Sequence, residues 1–271
     1  MPSDPTPSLP QSPGVLVGRN PVREALERGD ARVEKVVLQR GAHGSGIDAI
    51  RRLAREAGVP VLSVPAQRVE FLAPRQTHQG VVAIVAPVAY VDLDEMLAGI
   101  APGLDAVRAA KPIVVVLDEI EDPHNFGAIL RSTVAAGGAG VVVPERRMAP
   151  LSSTAVKASA GTALRIPIAR VSSLAAALEQ TKERGYWVVG LDGGAALRGD
   201  PERFTVWDYD WDRPVVLVVG NEGRGLRSGV RAACDALVEI PIRGAAESLN
   251  ASVAAGIALF AAARVERGGG A

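Results

Sequence analysis

Five short stretches of this chain, 113–117, 140–143, 187–191, 215–219 and 237–242, are runs of β-branched and other apolar residues, interrupted by a charge only at Glu239. A strand half-exposed to water alternates apolar with polar side chains, whereas a strand covered on both faces reads as an unbroken apolar run. Helical stretches at 128–136, 154–160, 174–184 and 249–265 separate most of these runs, and a further strand-like stretch lies at 164–168. The alternation predicts an α/β protein with a mostly parallel sheet covered on both faces. Composition agrees: hydrophobic residues make up 48% and aromatics only 4% of the 271 residues, so the core must be built from Val, Leu, Ile and Ala.

A smaller α/β pattern precedes this sheet. Strands are expected at 15–17, 33–38, 59–64 and 81–85, with helices from Pro21 to about Arg28, over 47–57 and over 67–72. Gly58 stops the second helix. The expected organisation is a disordered tail at 1–13, a small domain at 14–88, a linker at 89–110 carrying one short helical pattern at 93–97, a larger α/β domain at 111–266 and a frayed end at 267–271. The tail is rich in Pro and Ser and reads as neither signal peptide nor membrane anchor. No apolar run reaches the ~20 residues that span a bilayer. Cys234 is the only cysteine, which rules out an intrachain disulfide and fits a reducing cytoplasm. Formal net charge is zero, so any surface for nucleic acid must be local. Arginine outnumbers lysine; guanidinium forks suit phosphate, and a GC-rich genome produces the same bias.

Three segments carry the chemistry-bearing residues, and each follows an apolar run where ligands sit in open α/β sheets. In Asp122-Pro-His-Asn-Phe-Gly-Ala-Ile-Leu-Arg131, Asn125 is suited to cap the next helix, and Gly127 removes a side chain where something must approach closely. Arg131 is either one surface arginine on a capped helix or, lying among Ala128, Ile129, Leu130, Val134 and Ala135, a charge that needs a partner such as a phosphate or substrate. In Val218-Val-Gly-Asn-Glu-Gly-Arg-Gly-Leu226, Gly220, Gly223 and Gly225 permit unusual φ values and close backbone contact. No Gly-Lys-Ser/Thr follows, and Glu222 would oppose a pyrophosphate, which excludes the P-loop and the dinucleotide fingerprint. Glu222 either pairs with Arg224 or a neighbouring loop, or acts on a ligand. In the third segment, from Ile240-Pro-Ile242 to Glu247-Ser-Leu-Asn-Ala-Ser-Val253, Pro241 suits a strand exit and Ser248 a helix N-cap. The helix that follows is nearly wholly apolar and so is expected to be buried. Ser248, Asn250 and Ser252 serve either as caps and small packing residues or as ligand contacts. A fourth stretch combines Lys157 with Ser159 and Thr162, either as phosphate contacts or as a solvated helix with its cap. His43, His78 and His124 have no partners at zinc spacing, so no metal is expected.

In order and spacing the three segments resemble the motifs of the SpoU–TrmH family of S-adenosylmethionine-dependent RNA ribose 2′-O-methyltransferases. The stretch containing Leu16-Val-Gly-Arg-Asn20 and Thr77-His-Gln-Gly-Val81 resembles the family's substrate-binding domain, which has an L30e-like fold. The resemblance implies a C-terminal trefoil knot, a homodimer packed through the knot region and no metal. It implies that Asn125 and Arg131 act at the ribose and that Glu222, Ser248 and Asn250 organise the catalytic site. It implies further that Val219, Gly220, Asn221, Gly223, Ile240, Ile242, Ser248 and Leu249 hold S-adenosylmethionine. The amino-terminal domain is most like that of the group acting on a guanosine of 23S rRNA. A tRNA guanosine or a resistance-type rRNA adenosine is the alternative substrate, and a non-catalytic RNA-binding assembly factor the alternative class. A nucleotide-binding dehydrogenase fails for want of an early glycine fingerprint.

Overall fold

A computed structural model describes residues 15–29, 33–86, 90–194, 200–244 and 248–264. The expected tail at 1–13 and frayed end at 267–271 lie outside the described residues. The chain divides into two units, one over 1–89 with 151–153, the other over 90–150 with 154–271.

In the first unit, β1 (Val15–Val17), α1 (Arg19–Glu27), β2 (Val33–Gln39), α2 (Ser45–Glu56), β3 (Val61–Val64), α3 (Ala66–Leu72) and β4 (Val81–Val85) follow one another. They form a mixed sheet of order β1-β4-β2-β3. β2 and β3 run parallel across α2, while β4 is antiparallel to β1 and β2. Gly58 takes φ +67 just past α2, the left-handed residue that ends a helix. Val22, Leu26, Ile47 and Ile50 from α1 and α2 pack with one face of the sheet, and Val69 of α3 packs with Val37 and Val82 of the other.

The second unit begins where a linker was expected. Residues there form α4 (Leu93–Ile100) and α5 (Leu104–Ala110), which bury Leu93, Met96, Leu97 and Val107 in the unit's core. Asp92 caps α4 by accepting from the backbone N–H groups of Asp94 and Glu95. The rest comprises β5 (Ile113–Leu117), α6 (Pro123–Ala135), β6 (Gly140–Pro144), α7 (Ser153–Ala158), β7 (Ile168–Val171), α8 (Leu174–Glu183) and β8 (Trp187–Leu191). Then come β9 (Glu202–Thr205), β10 (Val215–Val219), α9 (Ser228–Ala232), β11 (Ala236–Glu239) and α10 (Ala251–Ala263).

The seven strands form one sheet of order β7-β6-β5-β10-β8-β11-β9, parallel throughout. Val114, Val116, Val216 and Val218 face the core shared with α4, α5 and α8. The intervening residues of β5 and β10 are equally buried on the opposite face, and α10 packs there on β8, β10 and α6. Strand β9 was not expected, because Glu-Arg-Phe-Thr carries no apolar run. The strand expected at 164–168 starts later, after a 3₁₀ turn at Thr162–Leu164. The last strand stops at Glu239, because Pro241 offers no N–H to a ladder.

From β5 the chain runs to β6 on one side, while β10 occupies the other. Leu117 and Val219 are register partners, so the ends of these two strands lie side by side. In open parallel sheets this reversal opens the crevice used for ligands.

Candidate active site

The loop after β5 enters α6 through Asp122, whose carboxylate accepts from the His124 N–H at 3.0 Å, with Pro123 at the first helical position. The cap is therefore Asp122 and not Asn125. The Asp-Pro pair satisfies the helix start and leaves the Asn125 side chain free for other use. Gly127 faces α7: a Cβ there would lie 2.3 Å from the Ala155 carbonyl oxygen. The close approach expected at Gly127 is thus helix on helix. Arg131 is exposed and makes no hydrogen bond or ion pair with the described residues, so no side chain among them serves as the partner its charge needs. Six residues after Asn125, it sits ~9 Å along the helix and ~120° around it, where water solvates its guanidinium.

The loop after β10 is held by itself and by its neighbour. Asn221 and Gly225 exchange backbone hydrogen bonds of 3.1 and 2.8 Å. The Asn221 side-chain oxygen accepts from the N–H groups of Gly223 and Arg224, and its amide donates to the Glu119 carbonyl at 3.0 Å. Arg224 pairs with Glu119 and Glu121, each at 3.3 Å, and not with Glu222. Glu222 is left to face α6 and α10.

Asn250, not Ser248, caps α10, accepting from the Ser252 N–H at 2.9 Å and the Val253 N–H at 3.4 Å. Ser248 lies two residues before the cap and is exposed, so its hydroxyl is not a helix cap. The Ser252 hydroxyl donates to the same Asn250 oxygen at 2.6 Å. Glu247 lies outside the described residues.

These local arrangements bring the three segments to one point. Glu222 Oε1 accepts from Asn125 Nδ2 at 2.8 Å, from Asn250 Nδ2, and from the Ala251 N–H at 3.2 Å. Asn250 Nδ2 also donates to Asn125 Oδ1 at 3.0 Å. The carboxylate sits at the start of α10, whose dipole favours a negative charge there. Glu222 therefore acts as a hub that orients two amides at the mouth of the β5/β10 crevice. Such a junction can position a polar substrate group, and the exposed Arg131 fork adds a cation on the same helix as Asn125. In the fourth stretch the Ser159 and Thr162 hydroxyls bond locally to Val156 and Ser159 carbonyls, which leaves Lys157 exposed.

Sequence reading missed the scaffold beneath this junction. Asp118 is fully buried and accepts from Arg227 through both its backbone N–H (2.9 Å) and Nε (2.6 Å). Glu119, also buried and at φ +60, meets Arg147, Arg224 and Arg227. Two acids immediately after a wholly apolar strand were the available signal. At the end of β8, Asp192 pairs with Arg231 and Arg203, and Arg231 also grips Asp200. No group of three or more His, Cys, Asp and Glu side chains converges as metal ligands among the described residues.

Residues 112–260 match the SpoU rRNA methylase family, and residues 15–91 match the RNA 2′-O ribose methyltransferase substrate-binding domain. A Mycobacterium ulcerans protein described as an uncharacterized tRNA/rRNA methyltransferase is 40% identical over 258 residues, covering 93% of this chain and 77% of its own. A Bacillus subtilis protein named for the TrmH family of tRNA/rRNA methyltransferases is 37% identical, covering 93% and 96%. Among solved structures, the AdoMet-bound rRNA methyltransferase of Sinorhizobium meliloti superposes with a TM-score of 0.56 at 27% identity, covering 92% of this chain and 86% of that one. The SpoU methyltransferase AviRb of Streptomyces viridochromogenes, in complex with AdoMet, gives 0.55 at 28% identity, covering 92% and 89%.

Proposed function

The chain belongs to the SpoU rRNA methylase family of RNA 2′-O-ribose methyltransferases, and on that premise we propose that it methylates a guanosine ribose of 23S ribosomal RNA. The observation that carries the reading is the Asn125–Glu222–Asn250 junction, which joins the three motif segments at the crevice between β5 and β10. Both relatives above are described for tRNA and rRNA alike, which keeps a tRNA guanosine as the second reading.

S-adenosylmethionine supplies an already activated sulfonium methyl. Its adenine and methionine parts would be held by the loops after β10 and β11. Val219 to Gly223 present backbone groups there, and Ile240, Ile242 and Leu249 present apolar side chains. Ile242 is 40% exposed, an uncovered apolar surface at a strand end that a purine face would cover. Asn125, Glu222 and Asn250 would orient the ribose 2′-hydroxyl toward the sulfonium methyl. Ser248, exposed two residues before the Asn250 cap, would help to organise the same site. Arg131 clamps the neighbouring phosphate with its free fork and steers the hydroxyl. A guanidinium holds its proton and is a poor base, so Arg131 would orient the hydroxyl, whose proton would pass to water late in, or together with, transfer of the methyl from sulfur to oxygen.

A homodimer and a C-terminal trefoil knot belong to the same proposal. β8 lies between β10 and β11, so the chain must pass β8 to connect them. Val253 (50% exposed), Ile257 and Phe260 (53% exposed) form one apolar stripe on α10, against the expectation that this helix is wholly buried. A second copy would cover it. Phe260→Asp should convert a dimer to a monomer by light scattering, and a variant that stays dimeric would place the interface elsewhere. No described helix is long and apolar enough to cross a membrane; a ribosomal RNA substrate places the protein in the cytoplasm.

The deciding experiment is transfer of label from S-adenosylmethionine to unmodified large-subunit rRNA, small-subunit rRNA and tRNA, mapped for alkali-resistant linkages. Label at one guanosine of large-subunit rRNA is expected. Label confined to tRNA would retain the chemistry and overturn the substrate.

A further inference from the structure

We propose that Arg147 and Arg224 form a clamp for an RNA phosphodiester beside the ribose being methylated, a proposal that rests on the methyltransferase reading above. The two guanidiniums come from different loops, after β6 and after β10, and meet on opposite oxygens of one carboxylate. Arg147 lies 3.1 Å from Glu119 Oε1, and Arg224 lies 3.3 Å from Glu119 Oε2. Glu119 is buried, whereas the side chains of Arg147 and Arg224 remain 65% and 58% exposed. The carboxylate thus anchors each fork from beneath while the remaining N–H donors face outward. The planar, five-donor guanidinium is the side chain suited to bidentate phosphate binding.

Charge balance points the same way. Three guanidiniums, of Arg147, Arg224 and Arg227, converge on two buried carboxylates, Asp118 and Glu119, which leaves one positive charge in surplus. The carboxylate over that surplus is Glu121, 54% exposed and 3.3 Å from Arg224. An exposed carboxylate on a solvated arginine is held weakly and can be exchanged for a phosphate. Position fits as well. Arg224 is two residues past Glu222, within about 7 Å by chain length, and Glu121 directly precedes the Asp122 cap of the helix carrying Asn125. Phosphate held here would fix the backbone while the junction addresses the sugar.

The test is anisotropy of fluorescein-labelled polyuridine and polyadenosine RNAs on the full chain, at salt from about 50 to about 200 mM. Arg147→Gln and Arg224→Gln should each weaken both RNAs to the same extent, since phosphate contacts are blind to sequence. Each should also flatten the slope of log affinity against log salt by about 0.7, the value for one lost phosphate contact on a single strand. Glu121→Gln should tighten binding at low salt by removing the competing carboxylate. Unchanged slopes in both arginine variants, or weaker binding by Glu121→Gln, would overturn the clamp. If Arg224→Gln disturbs its own loop, Arg147→Gln decides alone, because its loop carries none of the proposed cofactor contacts. Methyl transfer by the wild-type chain separates the two readings. Transfer with unchanged slopes removes only the clamp. The expected slopes without transfer to any RNA remove only the methyltransferase reading.

Discussion

Glu222→Ala is expected to lower single-turnover methyl transfer by at least about 100-fold at saturating S-adenosylmethionine, because misplacing reacting groups by about 1 Å costs that much. One carboxylate oxygen receives the Asn125 amide, the Asn250 amide and the Ala251 N–H. Removing it leaves the Asn125 amide tied only to Asn250, and Asn250 held only by its cap bonds and by Asn125. Stability should fall only modestly, on the order of 1 kcal/mol, since Glu222 is exposed and water replaces the lost bonds. Glu222→Gln retains an acceptor oxygen and should fall between wild type and Ala. A melting curve beside the kinetics separates lost geometry from lost fold. An Ala variant within about threefold of wild type would mean that the junction is not the catalytic centre.

Gly220→Ala is expected to destroy both the loop and the activity. A Cβ at this position would lie 2.5 Å from the Gly225 carbonyl carbon, 2.6 Å from its oxygen and 2.8 Å from the Leu226 nitrogen. All three are backbone atoms, held by the paired Asn221–Gly225 bonds and the buried Leu226 side chain. No rotamer change relieves such a clash, so the loop must open. Overpacking of this kind costs about 1–3 kcal/mol, and each kcal/mol lowers the melting temperature by about 2–4 °C for a domain of about 150–250 residues. Opening the loop also moves Glu222, so transfer should fall as far as in Glu222→Ala. Gly223→Ala is the control for the fold: its Cβ would meet only Asn221 Oδ1, at 3.8 Å, and the melting temperature should hold. Equal melting temperatures for the two variants would refute the packing argument.

Much of this architecture can be read from local pattern. A β-strand buried on both faces has no polar register, so Ile-Val-Val-Val-Leu at 113–117 and Val-Val-Leu-Val-Val at 215–219 declare central parallel strands without any tertiary information. β9 escaped because an edge strand of four mixed residues has no such run. The region around α4 and α5 looked like a linker because its Asp, Gly and Pro are helix boundaries. The pattern at 93–97 marks α4 locally, whereas α5 shows its apolar face only against the core it covers. Asn125 and Ser248 illustrate a different failure. Both residue types are good caps, but a nearby competitor caps better in place: Asp122 next to Pro123 in one case, and Asn250 next to the first helical turn in the other.

The sequence by itself determined which residues reach the strand ends. Strand length, loop glycines and the spacing of Asn125, Glu222 and Asn250 within their own segments are local properties, set by backbone preference and burial over a few residues. Only the tertiary structure decided which of them touch. Strand order placed β10 beside β5, and α10 packed on β10 and α6, so residues separated by 97 and 125 positions became hydrogen-bond partners. The same packing turned Arg131 outward and gathered three arginines over Asp118 and Glu119. Hydrogen bonds and ion pairs act over a few ångströms, whereas the chain distance between their partners is set by topology, which no local pattern records.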